Sequence, residues 1–251
     1  MKTKSKDLLL VGDGKLATHL KRYFHLLDIP CSQVSRSKHS TAQISEKIKK
    51  AKIILLAISD RAIESFYKEF YLTGVSYGQF WVHFSGALTV HGVIACHPLM
   101  SFSTRLLTLN EYKKIHFVVS ASSNRLNVFQ KLNLRNIKTM SGLIPGLKNT
   151  ASYLSDQKKS LYHAHCVMAG NFPVILWSQA LKEFRKMKVP EDAFLFYLQK
   201  NLENFLSLKE MALTGPLQRK DKVTIQKNIS ALGKNSPGAK LYKAFVKFKG
   251  L

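Results

Sequence analysis

The sequence predicts an α/β fold, with a doubly wound parallel sheet in the first part of the chain and only helices in the second. Up to about residue 145, short apolar runs alternate with segments of helical periodicity, and beyond residue 150 the strand patterns stop. Continuous apolar runs such as IILLAI at residues 53–58 are typical of strands that helices cover on both faces. We therefore expect two domains, at residues 1–150 and 151–251.

Each predicted strand of the first domain is a short apolar run. The strands span residues 8–11, 31–35, 53–58, 80–84, 93–96, 116–120 and 136–140. Segments of helical period lie between them, which is the sequence form of a doubly wound sheet.

The second domain is predicted to be entirely helical. One long helix covers residues 155–187, although Pro173 removes a backbone hydrogen bond and should kink it. Capping signals then mark three more helices. These signals are starts at Pro190, Asp221 and Ser236 and an end at Gly233.

The composition is that of a folded globular protein with a basic surface. Of the 251 residues, 39 are Lys or Arg and 15 are Asp or Glu, which gives a formal net charge of +24. The excess is spread over both domains, so a nucleic-acid partner stays open without being favoured. The same charge would draw anionic cofactors and substrates toward a cleft.

No apolar run approaches the roughly 20 residues of a membrane-spanning helix. The apolar run after the basic N-terminus is too short for a signal peptide, so we expect a cytoplasmic protein without a membrane segment. The cysteines Cys31, Cys96 and Cys166 lie far apart and form no CxxC pair. This spacing indicates buried thiols rather than a disulfide framework or a zinc site.

The stretch VGDGKLA combines a strand end, a glycine turn and a helix start. Gly12, Gly14 and Ala17 fit G-x-G-x-x-A, in which small residues allow the sharp turn, the approach of a pyrophosphate and the packing of the helix. The free N–H groups at the helix start attract an anion, although the Asp13 carboxylate would repel it unless it points outward. A purely structural turn is the alternative. The predicted phosphate-binding residues are Gly12, Gly14, Lys15 and Leu16.

The end of the second predicted strand carries no acid. Dinucleotide folds specific for NAD have an acid about 20 residues after the glycines, where it binds the ribose 2′-hydroxyl. This chain has Ser35, Arg36 and Ser37 at that place. A guanidinium flanked by hydroxyls suits a 2′-phosphate, so the stretch predicts NADP as the cofactor. A solvated basic loop is the alternative.

Candidate site residues also follow the third, fourth and fifth predicted strands, whose carboxyl ends form the ligand-binding edge of such a sheet. Ala57, Ile58 and Ser59 are predicted cofactor contacts. Ser85 precedes a glycine that lets the backbone pass close to a ligand, and the ordinary pKa of His97 suits a proton donor near neutral pH. We predict Ser85 and His97 as catalytic or substrate contacts, with structural hydrogen bonds as the alternative.

Two polar residues share one face of the first long helix. His163 and Asn171 are eight residues apart, close to a whole number of turns. They are predicted to complete the catalytic pocket or, alternatively, to hydrogen-bond within a helix interface. His165 lies on another side of the helix, so metal-binding spacing is absent and no metal site is predicted.

Six short stretches together match one family. They are GDGKLA (12–17), AISDRAI (57–63), VHFSGAL (82–88), HPLMSF (97–102), LYHAHCVMAGNF (161–172) and LTGPLQRKD (213–221). In them the chain resembles Rossmann-like oxidoreductases of undefined substrate. Their N-terminal domain is similar to that of pyrroline-5-carboxylate reductases, and their helical C-terminal domain to that of 6-phosphogluconate dehydrogenases.

The resemblance implies a Rossmann-like NADP-binding domain followed by a helical domain that forms a homodimer. The chain departs from the pattern in two places. Only eight residues separate Leu88 from His97, fewer than in relatives. The lysine that serves as catalytic acid in related hydroxyacid dehydrogenases has no clear counterpart in LYHAHCVMAGNF.

The leading hypothesis from these observations is an NADP-dependent oxidoreductase that reduces a small carbonyl or imine substrate. Its pocket would contain His97, His163, Asn171 and Ser85. The alternative is a non-catalytic nucleotide-sensing or nucleic-acid-binding protein that keeps the fold, since a fold alone does not fix an activity.

Overall fold

The computed structural model describes residues 7–72, 79–121 and 134–250. They belong to two compact units, of which the first ends at Pro173 and the second begins at Val174. The domain boundary predicted at residue 150 marks the change from strand to helix patterns in the sequence, and it stays a prediction.

The described strands form one sheet in the first unit. They are β1 Leu8–Val11, β2 Ser32–Val34, β3 Ile53–Leu56, β4 Phe80–His83, β5 Ile94–Pro98, β6 Phe117–Ala121 and β7 Ala151–Tyr153. The order across the sheet is β2-β1-β3-β4-β5-β6-β7, and every neighbouring pair is parallel except β5 and β6. The predicted α/β fold is confirmed, with an antiparallel pair that the apolar runs do not predict.

Helices cover both faces of the sheet. Each strand alternates its side chains between the two faces, and because both faces carry apolar side chains, each is covered by helices. The helices of this part are α1 Lys15–Leu26, α2 Thr41–Lys50, α3 Asp60–Leu72 and α4 Leu109–Lys113. In β1, Leu10 belongs to the buried cluster that holds apolar side chains of α1 and α4, whereas Leu9 belongs to the cluster of α2 and α3. In β3, Leu55 belongs to the first of these clusters and Ile54 to the second.

The connection between β4 and β5, residues 84–93, contains no helix. Parallel strands normally need a crossover of about a dozen or more residues that includes a helix, so this connection is unusually short. Its first residues stay next to the end of β4, where the Ser85 N–H donates to His83 Nδ1 at 3.2 Å. The short connection thereby brings polar groups to the carboxyl edge of the sheet.

The last strand is not where the sequence predicts it. The strand predicted at 136–140 is wrong, because Met140 is buried in a 3-10 helix and only Thr139 forms an isolated bridge. The edge strand is β7, parallel to β6, so the expectation that strands stop at residue 150 is also wrong. With three residues, of which only Ala151 is fully buried, β7 is too short to give an apolar run.

The remaining helices agree with the capping signals. They are α5 Asp156–Lys186, which continues through Pro173, then α6 Glu191–Leu208, α7 Gly215–Arg219, α8 Lys222–Ala231 and α9 Pro237–Phe248. Pro190 is the N-cap of α6. The side chains of Asp221 and Ser236 accept the capping hydrogen bonds of α8 and α9, both at 3.0 Å. These three predicted helix starts are confirmed.

The second unit buries few apolar side chains. One buried cluster in its described residues consists of Ile225, Ile229 and Ala239. Many other large apolar side chains of this unit are exposed. Among the described residues, none of the helices has the length and hydropathy needed to span a bilayer.

Candidate functional site

The turn after β1 requires glycine at its first position. Gly12 has φ +123°, which residues with a side chain rarely adopt, and a Cβ on it would lie 2.2 Å from the Ala57 carbonyl oxygen. The Gly12 N–H donates to the Val34 carbonyl at 2.8 Å. The turn is thereby held against the carboxyl ends of both neighbouring strands, β2 and β3.

Gly14, the N-cap of α1, leaves the start of this helix open. Its first turn has no acid, and among the described residues no side chain caps the helix and no atom lies within 4 Å of a Cβ on Gly14. The first N–H groups of a helix lack partners within it and lie at the positive end of its dipole. The predicted phosphate site at Gly14, Lys15 and Leu16 therefore has the space and the donors that a pyrophosphate needs.

The serines of the loop after β2 contact a carboxylate of the chain itself. Ser37 Oγ donates to Asp13 Oδ2 at 2.5 Å and lies 2.9 Å from Ser35 Oγ. The hydrogen bond from Ser37, and then that from Ser35, lowers the pKa of Asp13 below its ordinary value. Asp13 therefore points at this loop and is ionised at neutral pH.

Arg36, between the two serines, is held by α3. Its guanidinium forms an ion pair with Glu69, and its Cζ lies 5.3 Å from the centre of the Phe66 ring. The Arg36 side chain is 58% exposed. Exposed ion pairs contribute at most about 1 kcal/mol, so Arg36 could exchange Glu69 for another anion at little cost.

Ala57, Ile58 and Ser59 lie at the carboxyl end of β3, next to the glycine turn. Ile58 Cγ2 is 3.2 Å from the position of a Cβ on Gly12. Ser59 is exposed, and its carbonyl accepts a hydrogen bond from the Ala62 N–H at 2.8 Å where α3 begins. The structure thus brings this predicted cofactor segment beside the predicted phosphate site.

Ser85 is buried, and its hydroxyl forms two hydrogen bonds within the protein. It donates to Asp60 Oδ2 at 2.6 Å and accepts from the Leu88 N–H at 3.0 Å. These bonds hold the β4–β5 connection to the first residue of α3. The structure therefore gives Ser85 a positioning role, and its predicted catalytic role stays a prediction.

His97 lies near the end of β5 and meets two side chains of α5. The Tyr162 hydroxyl is 2.8 Å from His97 Nδ1, and the His163 ring stands edge-on to the His97 ring with centroids 5.8 Å apart. Burial, followed by the charges of His163 and Lys159, lowers the pKa of His97 to about 4. His97 is therefore a neutral hydrogen-bonding group at physiological pH.

His163 packs against the glycine of the β4–β5 connection. A Cβ on Gly86 would lie 2.3 Å from His163 Nδ1, so only glycine leaves room for this ring. His163 Nδ1 is buried and has no hydrogen-bond partner among the described residues. Asn171 lies two turns further along α5 and is exposed, outside the group formed by His97, Tyr162 and His163.

Lys159 is a candidate site residue that the sequence reasoning missed. Its side chain is 3% exposed, and its Nζ donates to the Leu88 carbonyl. Burial lowers its pKa to about 8. The sequence does contain one indication of Lys159. It precedes His163 by four residues, so the two side chains share one face of the helix.

Two more polar groups nearby have unused atoms. His83, at the end of β4, is completely buried, and burial followed by the charge of Lys159 lowers its pKa to about 3. His83 Nε2 and Asp156 Oδ1 are buried without a partner among the described residues. Buried polar atoms in proteins are usually paired, so these two and His163 Nδ1 are exceptions within the described part of the chain.

We use the name Lys159 cluster for His83, His97, Lys159, Tyr162 and His163. It combines one buried ammonium with three imidazoles. Burial keeps two of them, those of His83 and His97, neutral. An ammonium can donate a proton to a developing negative charge, and imidazoles can orient a polar substrate. Within the described ranges, no three or more His, Cys, Asp or Glu side chains are placed to hold a metal ion.

Solved structures share this fold over nearly the whole chain. A Bacteroides fragilis protein described as a candidate NADP oxidoreductase is 21% identical, with TM-score 0.67 and coverage of 98% of this chain and 99% of that one. TM1727 of Thermotoga maritima is 20% identical, with TM-score 0.63 and 96% coverage of both chains. Plasmodium falciparum pyrroline carboxylate reductase, solved with NADP bound, is 14% identical, with TM-score 0.55 and coverage of 97% and 94%.

A comparison with curated protein sequences gives no significant match. The family model called Domain of unknown function (DUF2520) matches residues 115–248, which is more than half of the chain. The match extends from β6 to the end of α9 and includes Lys159, Tyr162 and His163. The chain therefore belongs to the DUF2520 family, and its fold is that of the Rossmann-like oxidoreductases.

Proposed function

We propose that this protein is an NADP-dependent reductase of a small carbonyl or imine substrate. Two features at the carboxyl edge of the sheet support the proposal, namely the open start of α1 and the Lys159 cluster. The open start of α1 is the main support. It follows directly after a strand and a glycine turn, and it has no acid and no side-chain cap among the described residues, so it is suited to a pyrophosphate. The names of two similar proteins, the candidate NADP oxidoreductase and the pyrroline carboxylate reductase, agree with it.

In this proposal the bound cofactor supplies a hydride, and the chain supplies a proton to the oxygen or nitrogen that becomes negative. Lys159 suits that role, because a pKa of about 8 leaves it protonated at neutral pH and able to release the proton. His97, hydrogen-bonded to Tyr162, and the unpartnered Nδ1 of His163 orient the substrate. Asn171 is the further substrate contact that we propose on α5.

Gly14→Asp tests the proposed phosphate site. Gly14 has φ −73° and open space at its Cβ, and aspartate is a favourable N-cap residue, so the variant should fold at least as stably as the wild type. Its carboxylate would take the helix N–H donors and repel a pyrophosphate. We expect NADPH affinity, measured by titration of nicotinamide fluorescence, to fall by about 100-fold or more.

The matched control is Gly142→Asp. A Cβ on Gly142 also meets no atom of the described residues within 4 Å, and this glycine lies near Ile53 and Phe80, at the amino ends of β3 and β4. The control should keep wild-type NADPH affinity. No NADPH binding by the wild type at millimolar concentration would overturn the proposed function. Salt-sensitive binding of RNA or DNA in its place would favour the alternative class.

We also propose that the second unit forms a homodimer through α6. Leu195, Leu202 and Leu206 fall on one face of this helix at a period of 3.6 residues, with exposed fractions of 49%, 52% and 60%. Exposed apolar faces of this kind mark interaction surfaces. A second copy of the chain is the partner that the family resemblance implies.

Leu202→Glu is expected to convert the dimer into a monomer, because the carboxylate would be buried unpaired in the interface. Ser207→Glu adds the same charge on the polar side of α6 and should leave the dimer intact. Sedimentation equilibrium over a range of concentrations measures the difference. A wild-type protein that is monomeric at all concentrations, or a dimeric Leu202→Glu variant, would contradict this interface.

A further inference from the structure

The loop after β2 already binds an anion that belongs to the chain. Ser37 donates to the Asp13 carboxylate, Ser35 lies within hydrogen-bond distance of Ser37, and the charge of Lys38 acts on the same carboxylate. A carboxylate with two hydroxyls and a lysine around it is a small anion site.

The position of this loop relates Asp13 to the cofactor. In a doubly wound dinucleotide fold, the adenosine ribose lies at the end of the second strand, and groups there recognise its 2′ position. Ser35, Arg36 and Ser37 directly follow β2 in this chain. A ribose 2′-phosphate would need the same hydroxyl donors that Asp13 now uses.

Asp13 itself lies between the two glycines of the turn. It is exposed, and its carboxylate is held by hydrogen bonds from the Ser37 and Ser35 side chains, of which the Ser37 bond lowers its pKa more. A change of its rotamer would free Ser37. The arrangement is therefore an occupied anion site whose occupant can leave.

We propose that the Asp13 carboxylate occupies the place of the ribose 2′-phosphate, so that it competes with NADPH but not with NADH. This inference rests on the proposed function, and it assigns cofactor preference to Asp13 as well as to Arg36. NADPH has to displace the Asp13 carboxylate from Ser37 and then lies close to its negative charge. NADH leaves the contact between Asp13 and Ser37 in place.

The test is to titrate NADPH and NADH into the wild-type protein and into Asp13→Asn and Asp13→Ala, with nicotinamide fluorescence as the measurement. Removing the charge should tighten NADPH binding about tenfold, as expected for one unit charge near a phosphate at a partly exposed site. NADH binding should change by less than about twofold. Asp13→Ala is included because an asparagine can still accept a hydrogen bond from Ser37.

Glu46→Gln is the control for net charge. Glu46 is an exposed carboxylate on α2 that pairs with Lys50, so its removal changes the net charge equally but away from the loop. It should affect NADPH and NADH alike. An unchanged ratio of the two affinities in both Asp13 variants overturns the inference while leaving the proposed function intact. If neither the wild type nor any variant binds either dinucleotide, the proposed function and the inference are both overturned.

Discussion

Replacing Lys159 with methionine is expected to lower turnover by a factor of about 10² to 10⁴ while NADPH still binds. Lys159 is the one buried ammonium of the Lys159 cluster, and its removal takes away the proposed proton donor without touching the start of α1. The measurement is NADPH oxidation with a substrate found by screening a metabolite pool. Fluorescence titration of NADPH, run in parallel, separates binding from chemistry.

Wild-type turnover is expected to fall as the pH rises through about 8. Burial lowers the pKa of Lys159 to that value, and only the protonated amine can donate. Lys159→Arg is the matched control, since it keeps the positive charge but does not release its proton in proteins. It should bind NADPH and remain inactive. Full turnover in either variant would remove Lys159 from the proposed chemistry.

The same residue should make stability depend on pH. Between about 8 and 10.5, the unfolded chain binds a proton on Lys159 that the folded chain lacks, so the wild type becomes more stable as the pH rises through this range. Below pH 8 the full cost of burying the charge is present, on the order of 3 kcal/mol at roughly 1.4 kcal/mol per pH unit.

Lys159→Met removes this cost and one hydrogen bond to the Leu88 carbonyl. We expect the variant to be about 1–3 kcal/mol more stable than the wild type at pH 7, and this advantage to shrink above pH 8. Urea unfolding at pH 7 and pH 10 measures both differences. An identical pH dependence in the two proteins would show that the buried charge is not a stability cost.

The parts of the fold that the sequence predicts are those specified by neighbouring residues. The runs LLLV and IILLAI form β1 and β3 because each is long enough to bury side chains on both faces of the sheet. Asp221 and Ser236 predict helix starts because they accept hydrogen bonds from N–H groups three residues later. In contrast, β7 depends on pairing with β6 more than 30 residues away, which no local pattern reveals.

The candidate site divides in the same way. Gly12 and Gly14 are predicted from their spacing, since the turn and the helix start are built from adjacent residues. Lys159 is missed because it is buried against a distant part of the chain. Its Nζ donates to the carbonyl of Leu88, which lies 71 residues earlier, in the β4–β5 connection. The ion pair of Arg36 with Glu69 is likewise a contact between distant segments that composition cannot predict.

Gly12→Ala is expected to lower the free energy of unfolding by about 2–6 kcal/mol. The value of φ at Gly12, +123°, is strained for any residue with a Cβ, at a cost of about 1–3 kcal/mol. The new methyl group would also lie 2.2 Å from the Ala57 carbonyl oxygen. Relief of that overlap requires the ends of β1 and β3 to move apart, at a further cost of about 1–3 kcal/mol. Urea unfolding of the wild type and variant measures the loss.

Gly142→Ala is the control, because φ at Gly142 is not positive and a Cβ there meets no atom within 4 Å in the part of the chain that the structure describes. It should change the free energy of unfolding by less than about 0.5 kcal/mol.

Two variants separate the roles of the two glycines in the turn. Gly12→Ala would lose NADPH binding together with stability, whereas Gly14→Asp would lose binding alone. If Gly12→Ala folds as stably as the wild type, the close contact between β1 and β3 does not hold the turn, and the phosphate site lacks the rigid support that we infer for it.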